Sequence, residues 1–171
     1  MIFFPDVAIT MQDTIDVNAE VPFQYIKLDK SVTEKFSVSN IVNSAQTIRT
    51  DIKVVRTLEG SIRRILGYEK GKKVCKQDIC GTPDFIKDNL PGEIKSLIRF
   101  NHDILDVAKR QAALYAWLYN VRHAYIAIGI YKEIDELYAL LKKIHLYKIE
   151  VRSTIRYEDL KRIYNSLKVV A

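Results

Sequence analysis

The spacing of apolar residues changes along the chain, and each change predicts a different element. Residues 1–37 are irregular or strand-like, with Pro5 and Pro22 as breakers. From about Val38 to Leu66 the spacing predicts a helical region. One face of that helix carries four apolar residues and one carboxylate, namely Ile52, Val55, Glu59, Ile62 and Leu66.

Strand patterns follow this helical region. Val74–Ile79 is predicted as a strand, with Val74, Lys76 and Asp78 on one side and Cys75, Gln77 and Ile79 on the other. Asp84–Lys87 is a second short strand, and residues 88–92 (DNLPG) are dense in turn formers. Because Glu93–Phe100 is again strand-like, the segment predicts two strands joined by a tight turn.

The last third of the chain alternates between predicted helices and strands. Asp103–Asn120 predicts a long helix, and Ala124–Tyr131 is apolar almost throughout, as in a strand covered on both faces. Residues 134–144 have the spacing of an amphipathic helix. Leu146–Val151 predicts an edge strand and Tyr157–Val169 a final helix. The elements together predict an α/β or α+β domain whose central mixed β-sheet is flanked by helices.

Composition supports a single domain. The chain has 171 residues, of which 48% are hydrophobic and 28% charged, and only 6 are Gly and 4 Pro. This length suits one core, and no Ser/Gly-rich linker divides it. We therefore expect one domain over residues 1–171, with residues 1–37 as an N-terminal extension that extends the sheet, caps a dimer or forms an arm, and residues 38–171 as the core.

The cellular location of the protein and the oxidation state of its two cysteines are also predicted. Ala124–Tyr131 is far shorter than the roughly 18 residues of a membrane span, and residues 1–10 lack the charged start of a signal peptide. We expect a cytoplasmic protein with no membrane partner. Cys75 and Cys80 cannot build a disulfide framework or a zinc site alone, so we expect reduced thiols packed in the core.

Candidate chemistry lies in residues 81–96, GTPDFIKDNLPGEIKS. Glu93 and Lys95 are two apart on a strand and therefore share a face, while Ile94 points the other way into a core. The turn folds Asp84 back beside Glu93. Two carboxylates at this distance suit Mg²⁺, which would hold a scissile phosphate. The alternative is an exposed hairpin that is merely charged.

Two motifs in this region resemble the PD-(D/E)XK nuclease superfamily. Pro83-Asp84 followed by Glu93-Ile94-Lys95 is similar to its signature, and the flanking residues look like the RecB-like branch, which includes CRISPR-associated nucleases. Gln111 and Tyr115, four apart on one helix face, resemble the Q-x-x-x-Y element of that branch.

The resemblance implies an α/β restriction-endonuclease-like fold and hydrolysis of DNA phosphodiesters to 5′-phosphate and 3′-hydroxyl ends. Asp84, Glu93 and the Ile94 carbonyl would hold Mg²⁺ or Mn²⁺. Lys95 would position or activate the attacking water. Gln111 and Tyr115 would contact DNA.

The chain departs from the family pattern upstream of this motif. RecB-like members often carry a helical histidine there, but Arg63 stands at that place and all three histidines come later. Junction resolvases of the superfamily use a helical glutamate instead, for which Glu59 is the candidate. The alternative for Glu59 is a structural ion pair with Arg56 or Arg63. Related enzymes also hold an iron–sulfur cluster with four cysteines, and this chain has two, so we predict no iron–sulfur cluster.

The charge balance favours a polyanionic partner. The net charge is +6, the pI is about 9.2, and basic residues are dense between Arg49 and Lys76. Four of them are predicted to contact DNA phosphates: Arg63, Arg64, Lys72 and Lys73. The alternative is a solvated helix face.

Three functions follow as hypotheses. The first is a metal-dependent DNA nuclease directed to structure or ends rather than to sequence. The second is a branched-DNA resolvase acting as a homodimer, since two symmetric strands must be cut. The third is a catalytically silent DNA-binding protein with a nuclease fold.

Overall fold

The computed structural model describes residues 3–22, 24–27, 38, 51–54 and 56–170. Its strands are β1 (Val7–Pro22), β2 (Gln24–Lys27), β3 (Asp51–Val54), β4 (Glu69–Lys70), β5 (Val74–Lys76), β6 (Ile79–Gly81), β7 (Phe85–Lys87), β8 (Leu90–Leu97), β9 (His123–Glu133) and β10 (Tyr138–Val151). Its helices are α1 (Arg56–Leu66), α2 (His102–Leu118) and α3 (Tyr157–Val170).

A mixed sheet of six strands forms the centre of the molecule, in the order β1-β10-β9-β8-β7-β4. All neighbouring strands run antiparallel except β8 and β9, which are parallel. A parallel pair needs a crossover connection, and α2 supplies it. The predicted central mixed sheet with flanking helices is therefore confirmed.

The helices cover the two faces of this sheet with separate apolar clusters. On one face, Leu58 and Ile62 of α1 pack with Phe85 and Ile94. The larger cluster on the other face joins α2 and α3 to β9 and β10. β8 lies inside the sheet between β7 and β9, so alternate side chains of β8 enter different clusters.

The helix predicted over residues 134–144 is wrong, because Tyr138–Val151 is a strand paired with β9 and β1. The register shifts between Leu141 and Lys143, which marks a bulge. A bulge inserts an extra residue, so Leu141 and Ile144 are three apart and yet are buried in the same cluster. The same three-residue spacing is typical of an amphipathic helix, which explains the wrong prediction.

The N-terminal half also differs from expectation in two places. Val7–Pro22 is a 16-residue strand that pairs with β10, so this part of the N-terminal extension extends the sheet. The single helix predicted over Val38–Leu66 is wrong at Asp51–Val54, which is a strand paired with β2. Within the predicted helical region, the structure describes α1 and the helical residue Val38. Residues 39–50 and 55 lie outside the described residues.

The single strand predicted over Val74–Ile79 is a hairpin. β5 and β6 are joined by a turn at Gln77, whose φ is 56°, and Asp78. Cys75 and Cys80 lie directly opposite each other in this hairpin and form a disulfide. Because Cys75 is exposed, the expectation of reduced thiols in the core is wrong. Among the described helices, none has the length and apolar character needed to cross a bilayer.

Candidate active site

The β7–β8 hairpin holds Asp84 beside β8 through two hydrogen bonds. The Asp84 amide donates to the Gly92 carbonyl at 2.9 Å. The Asp84 carboxylate oxygen Oδ2 accepts from the Ile94 amide at 2.7 Å. Gly92 is required here, because an added Cβ would lie 2.1 Å from the Phe85 ring. The hairpin therefore fixes both the backbone and the side chain of Asp84.

Glu93 and Lys95 share one face of β8. The Lys95 ammonium lies 3.4 Å from Glu93 Oε1, while Ile94 is buried in the cluster on the α1 face. The predicted orientation of Ile94 into a core is therefore confirmed. Glu93 is only 5% exposed, and its second oxygen, Oε2, has no hydrogen-bond partner among the described residues.

Burial dominates the electrostatics of the two carboxylates. It raises the pKa of Glu93 well above its ordinary value, and the neighbouring Asp84 charge adds to this, while Lys95 opposes it. Burial also raises the pKa of Asp84, against the opposing effect of the Ile94 amide. An added cation would relieve this unfavourable concentration of negative charge.

Helix α2 closes the site from the face on which Glu93 lies. Gln111 and Tyr115 are both buried although they carry polar groups, and Gln111 Oε1 has no partner among the described residues. Burial raises the pKa of the Tyr115 hydroxyl, and the charges of Glu93 and Asp84 raise it further. Tyr115 is thus a neutral hydroxyl close to both carboxylates, and Gln111 lies about one turn before it on the same helix face.

Glu59 reaches the same site from α1. It is half-buried, and its negative charge contributes to the raised pKa values of Glu93 and Tyr115. The structure therefore brings both Glu59 and Asp84 within electrostatic reach of Glu93. No spacing rule places α1 next to the β8 hairpin, so this proximity depends on the tertiary fold.

Arg63 and Arg64 have local roles at the end of α1. Arg63 Nη1 donates to the Tyr68 carbonyl at 3.3 Å, just past the helix, and Arg64 Nη2 donates to Ser61 Oγ at 3.2 Å. Arg64 is exposed and Arg63 is half-buried. Their guanidinium groups support the helix terminus, and Arg64 is open to a further anion.

Lys72 and Lys73 precede the segment that carries Asp84 and Glu93. Both are exposed and follow Gly71 in the connection between β4 and β5. A Cβ added to Gly71 would lie 1.8 Å from the Pro83 carbonyl oxygen, so the chain at Gly71 is in direct contact with the residue before Asp84. The backbone that carries the two lysines therefore begins next to the residue before Asp84.

Tyr119 was not among the predicted site residues. Its hydroxyl donates to the Lys72 carbonyl at 2.8 Å, which ties the basic connection to α2. The sequence carried one signal for it, since Tyr119 follows Gln111 and Tyr115 at the same four-residue spacing.

The donor set fits a hard divalent cation. Asp84 and Glu93 offer carboxylate oxygens, and the unpartnered Glu93 Oε2 is a buried acceptor that a cation would satisfy. Within the described residues, His, Cys, Asp and Glu form no group of three or more suited to a metal. The fit therefore depends on the two carboxylates, with the Ile94 carbonyl as the further ligand implied by the family resemblance.

The comparisons with known proteins add no relative. None of the family models, curated proteins or solved structures compared with the chain matches it.

Proposed function

We propose that this protein is a metal-dependent DNA nuclease of the restriction-endonuclease-like fold, with a RecB-like site. One observation carries the proposal. Glu93 is a buried carboxylate with an unpartnered oxygen, next to a second carboxylate and 3.4 Å from an ammonium group. A charge buried in this way costs stability unless a ligand compensates it. Such a cost is expected at a functional site rather than on an ordinary charged hairpin.

Each residue of the site has a role in phosphodiester hydrolysis. Asp84, Glu93 and the Ile94 carbonyl would hold Mg²⁺ or Mn²⁺, which when bound supplies Lewis acidity to the phosphate. The Lys95 ammonium orients the attacking water or stabilises negative charge on the phosphate. Tyr115, which is close to both carboxylates, and Gln111 on the same face of α2 would donate hydrogen bonds to the DNA strand.

The substrate follows from the charges around the site. Lys72, Lys73 and the exposed Arg64 would neutralise phosphates without reading bases. The described residues contain no separate DNA-reading module. We therefore propose recognition of DNA ends or branched structures.

The test is cleavage of end-labelled single-stranded, duplex and branched DNA in Mg²⁺ or Mn²⁺. Cleavage should disappear with EDTA and in a Glu93→Ala variant, and it should persist in Glu136→Ala, which changes an exposed glutamate in the β9–β10 turn. If Glu93→Ala and Glu136→Ala cut equally well, Glu93 does not belong to the active site.

Two alternatives are separated by the same assay. Glu59 in electrostatic reach of Glu93 favours a resolvase, which would cut branched DNA preferentially and form a homodimer of twice 19.8 kDa. Arg63 in the place of the family histidine, bonded to the Tyr68 carbonyl, favours a silent DNA-binding protein. That protein would bind DNA in a salt-dependent manner and cut none of the three substrates.

A further inference from the structure

A short basic connection joins β4 to β5 at the rim of the site. Gly71 packs on the Pro83 carbonyl, and Lys72 and Lys73 follow it with exposed side chains. We call residues 71–73 the basic loop. The contact with Pro83 keeps Gly71, the first residue of the basic loop, close to Asp84. It leaves the direction of the two lysine side chains undetermined.

Tyr119 supplies a second attachment for the basic loop. Its hydroxyl donates to the Lys72 carbonyl across 47 residues of sequence, at 2.8 Å. Tyr119 is half-buried at the C-cap of α2, four residues after Tyr115, and it is close enough to contribute to the raised pKa of the Tyr115 hydroxyl. The same helix face that lines the active site with Gln111 and Tyr115 therefore also holds the basic loop.

The hairpin that follows the basic loop is anchored independently of Tyr119. Lys76 Nζ donates to the Trp117 carbonyl at 2.8 Å and to Asn120 Oδ1 at 2.5 Å. It also lies 4.5 Å from the centre of the Trp117 ring. Loss of the Tyr119 hydroxyl should therefore release the basic loop while β5 and β6 stay in place.

We infer that Tyr119 is a positioning residue that holds the basic loop in place for DNA binding. Its hydrogen bond holds Lys72 and Lys73 beside Asp84, so that their ammonium groups bind phosphates of the strand that enters the site. A loop held from both sides loses less conformational entropy on binding than a free loop. The inference rests on the proposed function, because it assigns a positioning residue to the same DNA site.

The first test is the salt dependence of DNA binding by Tyr119→Phe, measured in EDTA with single-stranded and duplex oligonucleotides. Loss of one hydrogen bond that orders the loop predicts binding about fivefold weaker. The plot of log affinity against log salt should become shallower by about 0.7–0.9 for each phosphate that the loop no longer neutralises. The control is Tyr138→Phe, which removes the hydroxyl of an exposed tyrosine at the start of β10 and should change neither quantity.

A double-mutant cycle separates positioning from a merely structural role. In a Lys72→Ala/Lys73→Ala background, Tyr119→Phe should weaken binding no further, because the groups that it positions are absent. Gly71→Ala should reproduce the shallower salt dependence, since its Cβ would push the basic loop away from Pro83. Thermal unfolding of every variant is recorded beside the binding data.

The possible outcomes have different meanings. If the wild-type protein binds DNA and the effects of Tyr119→Phe and the lysine substitutions simply add, the positioning role is overturned and the proposed nuclease stands. If the wild-type protein binds no DNA even at low salt, the proposed function fails and the inference fails with it. The inference is supported if Tyr119→Phe weakens DNA binding only in the protein that retains Lys72 and Lys73.

Discussion

Replacing Glu93 by Gln should make the metal-free protein more stable at neutral pH. The substitution keeps the shape of the side chain and removes a buried charge whose Oε2 has no partner among the described residues. The Gln amide would still leave a polar atom unpartnered at this position, so the gain comes from the lost charge: about 1.4 kcal/mol for each unit by which the pH exceeds 4.5, up to the folded pKa. For a chain of this length each kcal/mol corresponds to about 2–4 °C in melting temperature, so the increase should be easy to measure.

The effect should depend on pH in a defined direction. The folded pKa of Glu93 is raised above its ordinary value of 4.5, so the folded state binds this proton more tightly than the unfolded state. The associated stability is fully present below about pH 4.5 and is lost as the pH rises through the folded pKa. The Gln variant loses no such contribution, so its advantage should be absent in acid and grow toward pH 8.

The assay is thermal unfolding in EDTA between pH 4 and pH 8, for the wild-type protein, Glu93→Gln and the control Glu136→Gln. The control removes a charge from an exposed turn and should follow the wild-type protein. With Mg²⁺ added, the wild-type protein should gain stability by mass action, whereas the Gln variant should gain little. A Gln variant that is no more stable than wild type at pH 8 would refute the argument that Glu93 is a buried charge that Lys95 compensates only in part.

Three further substitutions have expected outcomes. Gly92→Ala should lower the free energy of unfolding by about 1–3 kcal/mol in denaturant titration, because the new Cβ meets the Phe85 ring at 2.1 Å; an unchanged midpoint would contradict this packing. Gly60→Ala, inside α1, should instead stabilise by about 0.5–1 kcal/mol, since the nearest atom to its added Cβ is the end of Arg64 at 3.8 Å; a loss of stability would show that the helix is packed differently there. Lys95→Met should reduce DNA cleavage about a hundredfold or more and leave binding in EDTA close to wild type; equal losses of binding and cleavage would argue against a role in the chemical step.

The hairpin that carries Asp84, Glu93 and Lys95 was predictable because its geometry is local. Side chains alternate along any strand, so Glu93 and Lys95 had to share a face and Ile94 had to enter the opposite core. The turn formers at residues 88–92 were sufficient to return the chain and place Asp84 beside β8. The family resemblance implied a bound divalent cation and a DNA substrate, and both remain proposals.

Other features could not be predicted because they depend on contacts between distant parts of the chain. β10 has helical spacing, but it is a strand because β1 and β9 pair with both of its edges and a bulge absorbs the extra residue. The disulfide is a different case: Cys75 and Cys80 are only five residues apart, and they face each other because a two-residue turn divides the predicted strand. Periodicity reports which residues are buried, and it does not report which partner buries them.

The amino-acid sequence by itself determined the local order of the site: two carboxylates and an ammonium group on one hairpin, followed by a helix face with Gln111 and Tyr115. Only the tertiary structure decided the environment of that site. It brought Glu59 from α1 toward Glu93, buried Glu93 under α2, and bonded Tyr119 to the basic loop. The physical reason is that side-chain direction follows from backbone geometry over a few residues, whereas desolvation and charge proximity depend on elements that are far apart in the chain.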